Sequence, residues 1–293
     1  TALALGSFDG LHMGHKKVIK AILKEPIGIP TVVSFWPHPR EVLFGESRLR
    51  LDLPSEKTFL LKPLGIEQLV LVPFNKTLAS KSAETFVNEI LVKTLRAKHI
   101  AVGENFRFGR NREGDIFTLK KIGASLGIKV SIIPILEDQN GRLSSSRIRK
   151  ALSDGDLQHA KYLLNRPYTF RGTVERGKGL GNKIGWPTAN LKIDGRKFLP
   201  SLGVYAAWAS IANKKERFYA VMNLGPQPTI DPNSSSAVEV HLLDKKIDLL
   251  GKELIIEPIQ RIRLQKRFEN IEALSKQISS DAKLAKEILI KNL

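Results

Sequence analysis

The 293-residue chain is 42% hydrophobic and 26% charged, the balance of a globular protein long enough for one large domain or two ordinary ones. It has no cysteine, which excludes disulfides and thiolate metal centres, and its longest apolar stretch, VYAAWASIA at 204–212, falls far short of the roughly 18 residues of a membrane span. The net charge of +18 is spread evenly, with 25 basic against 16 acidic residues in 1–164 and 22 against 13 in 165–293, so it is read as solvated surface and not as a polybasic arm.

The first half alternates short β-branched runs with helical periods. TALALGS, TVVSFW, QLVLV, HIAVG and KVSIIPI are predicted strands. Among the helices between them, SAETFVNEILVKTLRAK sets Phe86, Ile90, Leu91 and Leu95 on one face behind a Ser82 cap. Such alternation predicts a Rossmann-like, doubly wound parallel sheet, with ligands bound beyond the carboxyl ends of its strands. GSFDGLHMGH, at 6–15, falls there.

That stretch leaves three readings open. Gly10 and Gly14 permit close approach of a phosphate to a helix N-terminus, with His12 and His15 donating to its oxygens. A metal site would need a third ligand, for which only Asp9 is near, and a plain surface turn needs none of this chemistry. Further along, WPHPR stiffens a loop around His38, which can wall a flat ligand. Asn105 follows a strand and can read a polar ring edge, while Phe106 and Phe108 suit the core as well as stacking. Ser145, Ser146 and Arg149 open a helix, either as phosphate ligands or as a capping run with a surface arginine.

From about Pro167 the rhythm becomes strand after strand: YTFRGTVER, GVYAAWASIA, RFYAVMNLG, AVEVHLLD and KELIIEPIQRIRL, divided by turn residues. An antiparallel β-barrel is predicted, closed by a terminal helix whose Ile271, Leu274, Ile278, Ala282, Ala285 and Leu289 should pack against it. Between the first two of these runs, Gly177, Gly179, Gly181 and Gly185 suit a phosphate flap that is not a Walker A loop. Thr188 and Asn190, two residues apart, offer hard oxygens of the kind Mg²⁺ prefers, or merely a turn. Glu239 alternates with Val238 and Val240 and fits a solvent-facing strand position equally well.

Here the motifs themselves carry a resemblance. GSFDGLHMGH resembles the H-x-G-H opening of nucleotidyltransferases. SFWPHPREV, GENFRFGRNREGD and SSSRIRKAL resemble the adenylyltransferase half of the bifunctional prokaryotic riboflavin kinase/FAD synthetase family. GWPTANL, GVYAAW, NLGPQPTI and VEVHLLD resemble its kinase half. The resemblance implies a nucleotidyltransferase domain over 1–164 and a riboflavin kinase domain over 165–293. It implies His12, His15 and Arg149 in adenylyl transfer, with Gly10, Gly14, Ser145 and Ser146 on phosphate and His38 and Asn105 on flavin. In the kinase half it implies Glu239 as base, Gly177, Gly181 and Gly185 on ATP, and Thr188 and Asn190 on ATP-bound Mg²⁺.

The substrates so implied are ATP, riboflavin and FMN. Lys245 and Leu250 depart from the family's aromatic residues, and the usual acid between Arg263 and Phe268 is missing. With no leader-like opening and no cysteine, a cytoplasmic protein engaging neither nucleic acid nor membrane is expected.

Overall fold

A computed structural model of the chain describes every residue except 25–26, 47–48, 178–184, 226–237, 246 and 293. The chain divides into two compact units, one made of residues 1–48 and 54–145, the other of 49–53 and 146–293.

The first unit holds five parallel strands: β1 (Ala2–Leu5), β2 (Pro30–Trp36), β3 (Gln68–Pro73), β4 (His99–Gly103) and β5 (Lys129–Ile133). Their order is β3-β2-β1-β4-β5, as predicted for a doubly wound sheet. All four residues of β1 are buried, because both faces of a parallel sheet are covered. Leu3 and Leu5 point into one apolar cluster with Val33, Val102, Phe86 and Leu119. Ala2 and Ala4 point into the other, where helix α1 (Met13–Leu23) sets Val18, Ile19 and Ile22. The strand order reverses direction between β1 and β4, which opens a crevice at their carboxyl ends.

Three short helices follow: α2 (Pro39–Phe44), α3 (Pro54–Leu61) and α4 (Lys76–Ala79). Next, α5 (Ala83–Thr85) starts on Ser82, whose hydroxyl accepts from the Thr85 amide at 3.1 Å, and runs on as a π-helix over Phe86–Thr94. The wider turn changes the buried set: Val87 joins Phe86 and Leu91 in the core, while Ile90 and Leu95 pack at its margin. Helix α6 (Ile116–Ser125) and a two-stranded hairpin, β6 (Glu137–Asp138) with β7 (Gly141–Arg142), complete this unit.

In the second unit, helices α7 (Ser145–Asp154) and α8 (Leu157–Leu164) lead into six antiparallel strands. These are β8 (Phe170–Glu175), β9 (Ala189–Lys192), β10 (Gly203–Ile211), β11 (Arg217–Leu224), β12 (Val238–Leu242) and β13 (Glu253–Arg263). They close in the order β10-β11-β12-β9-β8-β13. The terminal helix α9 (Ile271–Ile290) docks Ala285 and Leu289 on Val204, Ala206 and Trp208 of β10. Ile271, expected on that face, is 67% exposed. Asp281, 3% exposed, occupies the face instead and pairs with Arg263 of β13 at 2.8 Å.

The two compact units meet in sequence at 145/146, whereas the sequence pattern placed a domain boundary at 164/165. The helices between those points turn their apolar faces, Ile148, Ala151, Leu152 and Leu157, Ala160, Leu163, into the second unit, with α8 packed on β13. Leu49–Leu53 also belongs there. The Arg50 backbone pairs with the segment 196–198, and the buried Lys197 donates its Nζ to the Leu51 carbonyl at 2.7 Å.

Candidate active sites

A cavity of about 230 Å³ opens at the carboxyl ends of β1 and β4, lined by Gly6, His12, Gly14, His15, Gly103 and Asn105 among others. His12 is the cap of α1: its Nδ1 accepts from the His15 amide at 3.4 Å, so the ring proton resides on Nε2. The two imidazoles stack with centroids 3.7 Å apart and a 20° interplanar angle, and Phe8 stands edge-on to His15. Gly14 is glycine for a steric reason, since a Cβ there would lie 3.1 Å from His12 Cε1.

The turn is strained. Phe8 (φ 45°) and Leu11 (φ 42°) are left-handed and fully buried, at a cost of about 1–2 kcal/mol each, whereas Gly10 takes φ 89° freely.

Burial and the nearby Arg142 lower His12 to about 4 against the upward pull of Asp9. His15 is pushed well below the usual histidine range by burial first, then by coupling to the adjoining His12 ring and by the cations Lys57 and Arg142. Its Nδ1 is buried with no hydrogen-bond partner. Both rings are therefore neutral near pH 7, a form that donates one N–H without carrying charge.

The other residues expected in this half divide. Asn105 is at the cavity, its amide oxygen accepting from both Arg142 guanidinium nitrogens at 2.8 and 3.0 Å in the orientation that satisfies both groups. Phe106 lines the cavity, and Phe108, stacked on it at 5.5 Å, is core. Ser145 Oγ donates to the Asp9 carbonyl at 2.7 Å, holding the turn. Gly10, Ser146 and His38 do not line the cavity. His38 forms a capping box on α2, its Nδ1 accepting from the Arg40 amide and its own amide donating to Glu41. Arg149 donates to the Leu49 carbonyl at 3.0 Å, with its guanidinium over the Phe198 ring. Sequence reading missed Lys57, 7% exposed, which donates to the Ser7 carbonyl beneath the turn, and Arg142 on β7.

The second unit has a larger cavity, about 760 Å³, lined by Gly177, Gly185, Thr188 and Asn190 as well as Lys245 and Leu250. Gly181 lies outside the described residues. A Cβ at Gly177 would overlap the Asn190 amide, and Gly185 has φ 82°.

Strand register builds a polar row across four strands: Asn223 pairs with Glu239, Glu239 with Asn190, and Asn190 with Glu175. Directly paired residues share one face of a sheet, so Glu239 stands beside Asn190 although it is not in the cavity wall. Asn223 Nδ2 donates to Glu239 Oε2 at 3.4 Å, and Gln265 Nε2 donates to Asn223 Oδ1 at 3.1 Å, fixing which end of that amide faces the carboxylate. Asn223 and Gln265 also escaped sequence reading. Just after Gly185, Trp186 donates to Ser275 of α9 at 3.3 Å and stands edge-on to His241.

Among the described residues no cluster of three His, Asp or Glu could hold a metal, which removes the His12–His15–Asp9 metal reading. Thr188 and Asn190 suit a cation that takes few protein ligands and hard oxygens, as Mg²⁺ bound to a nucleotide does. No described helix is long and apolar enough to cross a membrane.

Comparisons with known proteins follow the same division. Residues 1–147 match the family model described as FAD synthetase, and residues 164–289 match riboflavin kinase. The bifunctional riboflavin kinase/FMN adenylyltransferase of Escherichia coli K12 is 36% identical, covering 97% of this chain and 91% of its own. That of Bacillus subtilis 168 is 35% identical over 96% and 90%. A crystal structure from Streptococcus pneumoniae, described as a macrolide-efflux protein, superposes with a TM-score of 0.84 at 30% identity. It covers 97% of this chain and 93% of that one.

Proposed function

This chain belongs to the bifunctional riboflavin kinase/FMN adenylyltransferase family, and from that membership we propose how its residues divide the two reactions. It phosphorylates riboflavin to FMN with ATP, then adenylylates FMN to FAD with release of pyrophosphate. We assign adenylyl transfer to residues 1–164 and phosphorylation to 165–293.

In adenylyl transfer an FMN phosphate oxygen attacks the α-phosphorus of ATP. The new P–O bond forms as the bond to the β-phosphate breaks, and pyrophosphate departs. The nucleophile is already an anion, so no protein base is needed and the protein supplies placement and hydrogen bonds. The observation that carries this is the stacked, neutral His12–His15 pair at the head of α1. Nε2–H of His12 donates to the phosphate as charge builds, and His15 supports its ring. Gly10 and Gly14 admit the phosphates, Ser145 holds the turn, and Ser146 offers a hydroxyl. Asn105 and His38 are assigned to the flavin, and Arg149 to the departing pyrophosphate once it leaves the Leu49 carbonyl.

In the kinase reaction Glu239 takes the proton of the riboflavin 5′-hydroxyl as that oxygen attacks the γ-phosphorus, the bond to the β–γ bridging oxygen breaks and ADP departs. The Asn223 donor keeps this carboxylate aimed. Gly177, Gly181 and Gly185 are assigned to the ATP phosphates. Thr188 and Asn190 would hold Mg²⁺, which neutralises phosphate charge when bound. We place the enzyme in the cytoplasm, without nucleic-acid or membrane partners.

Chromatography of products from riboflavin, ATP and Mg²⁺ tests the division. Glu239→Gln should form no FMN from riboflavin yet still convert added FMN to FAD. Normal phosphorylation by that variant would remove Glu239 as base.

A further inference from the structure

Lys57 is a buried cation that none of these roles employs. It stands on α3 at 7% exposure, and its Nζ reaches the Ser7 carbonyl at 2.8 Å. The same carbonyl accepts from Ser34 Oγ of β2 at 3.0 Å. Ser7 immediately precedes Phe8, the first of the two left-handed, buried residues in the turn that carries the histidines. Two donors from two neighbouring elements thus converge at the point where the turn leaves the sheet.

A neutral donor would hold that carbonyl without the several kcal/mol that removing an ammonium from water costs. What a lysine adds there is charge. Lys57 does not line the cavity, so it acts through the Ser7 carbonyl it holds and through its charge. The charged groups facing the pair are Lys57 from α3, Arg142 from β7 and Asp9 from the turn itself, with each histidine facing the other.

We propose that Lys57 is a positioning residue for adenylyl transfer: from beneath the β1–α1 turn it clamps the Ser7 carbonyl and sets a fixed positive charge against the His12–His15 pair. Added to burial, which is the larger cause, that charge keeps His15 from taking a proton, so the stack stays neutral and His12 keeps its place and tautomer. This rests on the histidine pair being the adenylyl-transfer machinery.

The test uses the full chain with Lys57→Met (neither charge nor donor), Lys57→Gln (donor only) and Lys57→Arg (charge kept). The readouts are kcat and KM for FAD formation from FMN against pH, and imidazole titration by NMR. Met and Gln should both raise the His15 titration and lift the acid limb of the kcat profile by about half a pH unit or more, which lowers kcat about threefold on the limb itself and little at pH 7, with KM for ATP moving far less. Arg should keep the parental acid limb. Riboflavin phosphorylation by the same polypeptide should not change.

An unmoved acid limb in Lys57→Met overturns the proposal, as does full restoration by Lys57→Gln, which would make the lysine a mere strap. Should Lys57→Met fail to fold, the contrast between Gln and Arg decides alone, and equal limbs in those two also overturn it. His12→Ala run in parallel separates the premises. If FAD formation survives it, the histidine reading fails. If FAD formation is lost while Lys57→Met keeps the parental limb, only the Lys57 inference fails.

Discussion

Gly14 shows how narrowly the first site is fitted. A methyl there would press on the His12 ring at 3.1 and 3.2 Å, so Gly14→Ala should cut kcat for FAD formation about tenfold through a displaced imidazole, while the thermal midpoint hardly moves. His12→Ala should abolish FAD formation and leave FMN formation intact in the same product assay.

Because His12 titrates at about 4 in the fold against 6.5 when unfolded, the unfolded chain takes up the proton first as the medium acidifies. His12 alone should therefore cost the first unit roughly 3 kcal/mol of stability between pH 6.5 and pH 4, a share that His12→Gln should remove in denaturant titrations while the share of His15 remains. The histidines were legible in sequence because their motif is local. Lys57, Arg142, Asn223 and Gln265 were not, since each reaches its partner from another element and no spacing announces the meeting. His38 carries a role its motif did not announce: with Glu41 three residues on it builds a capping box, which serine or threonine usually signals.

Between residue and fold, two helices depart from the plain 3.6-residue reading. In Phe86–Thr94 the i→i+5 ladder, seen in the Leu95 amide bonding the Ile90 carbonyl at 3.0 Å, rotates Val87 inward. Period-based reading selects helical faces by assuming the narrower coil, so it found the element and its inward face but missed Val87. In α9 the apolar spacing hid an acid on the docking face. Asp281 is chelated by Arg263 at Nε and Nη2 and accepts from Gln277, so the helix is fastened to β13 by charge as well as by Ala285 and Leu289. Removing one partner strands the other in a poorly solvated place. Asp281→Ala should lower stability by about 3 kcal/mol, read as a shifted denaturant midpoint, and Asp281→Asn by less because it retains a hydrogen-bond acceptor.

At the scale of the molecule, the two-fold change of rhythm near Pro167 already betrayed a parallel sheet followed by an antiparallel barrel, because period and strand length depend on which faces are covered. The separate sites make a solution experiment possible. A mixture of His12→Ala and Glu239→Gln should turn riboflavin into FAD, FMN passing through the solvent, while the first variant alone stops at FMN and the second alone makes nothing from riboflavin. Failure of the mixture would show that the intermediate must stay on one polypeptide.

What composition and period could not disclose is that Leu49–Leu53, embedded in the sequence of the first unit, is structurally owned by the second. No single scission of the gene can therefore yield both bodies whole. A fragment starting at Ser146 leaves Lys197 without the Leu51 carbonyl and Arg166 without the carboxylate of Asp52. Recombination that borrows the barrel alone inherits that debt, and a five-residue peptide added in trans is the natural means of repaying it.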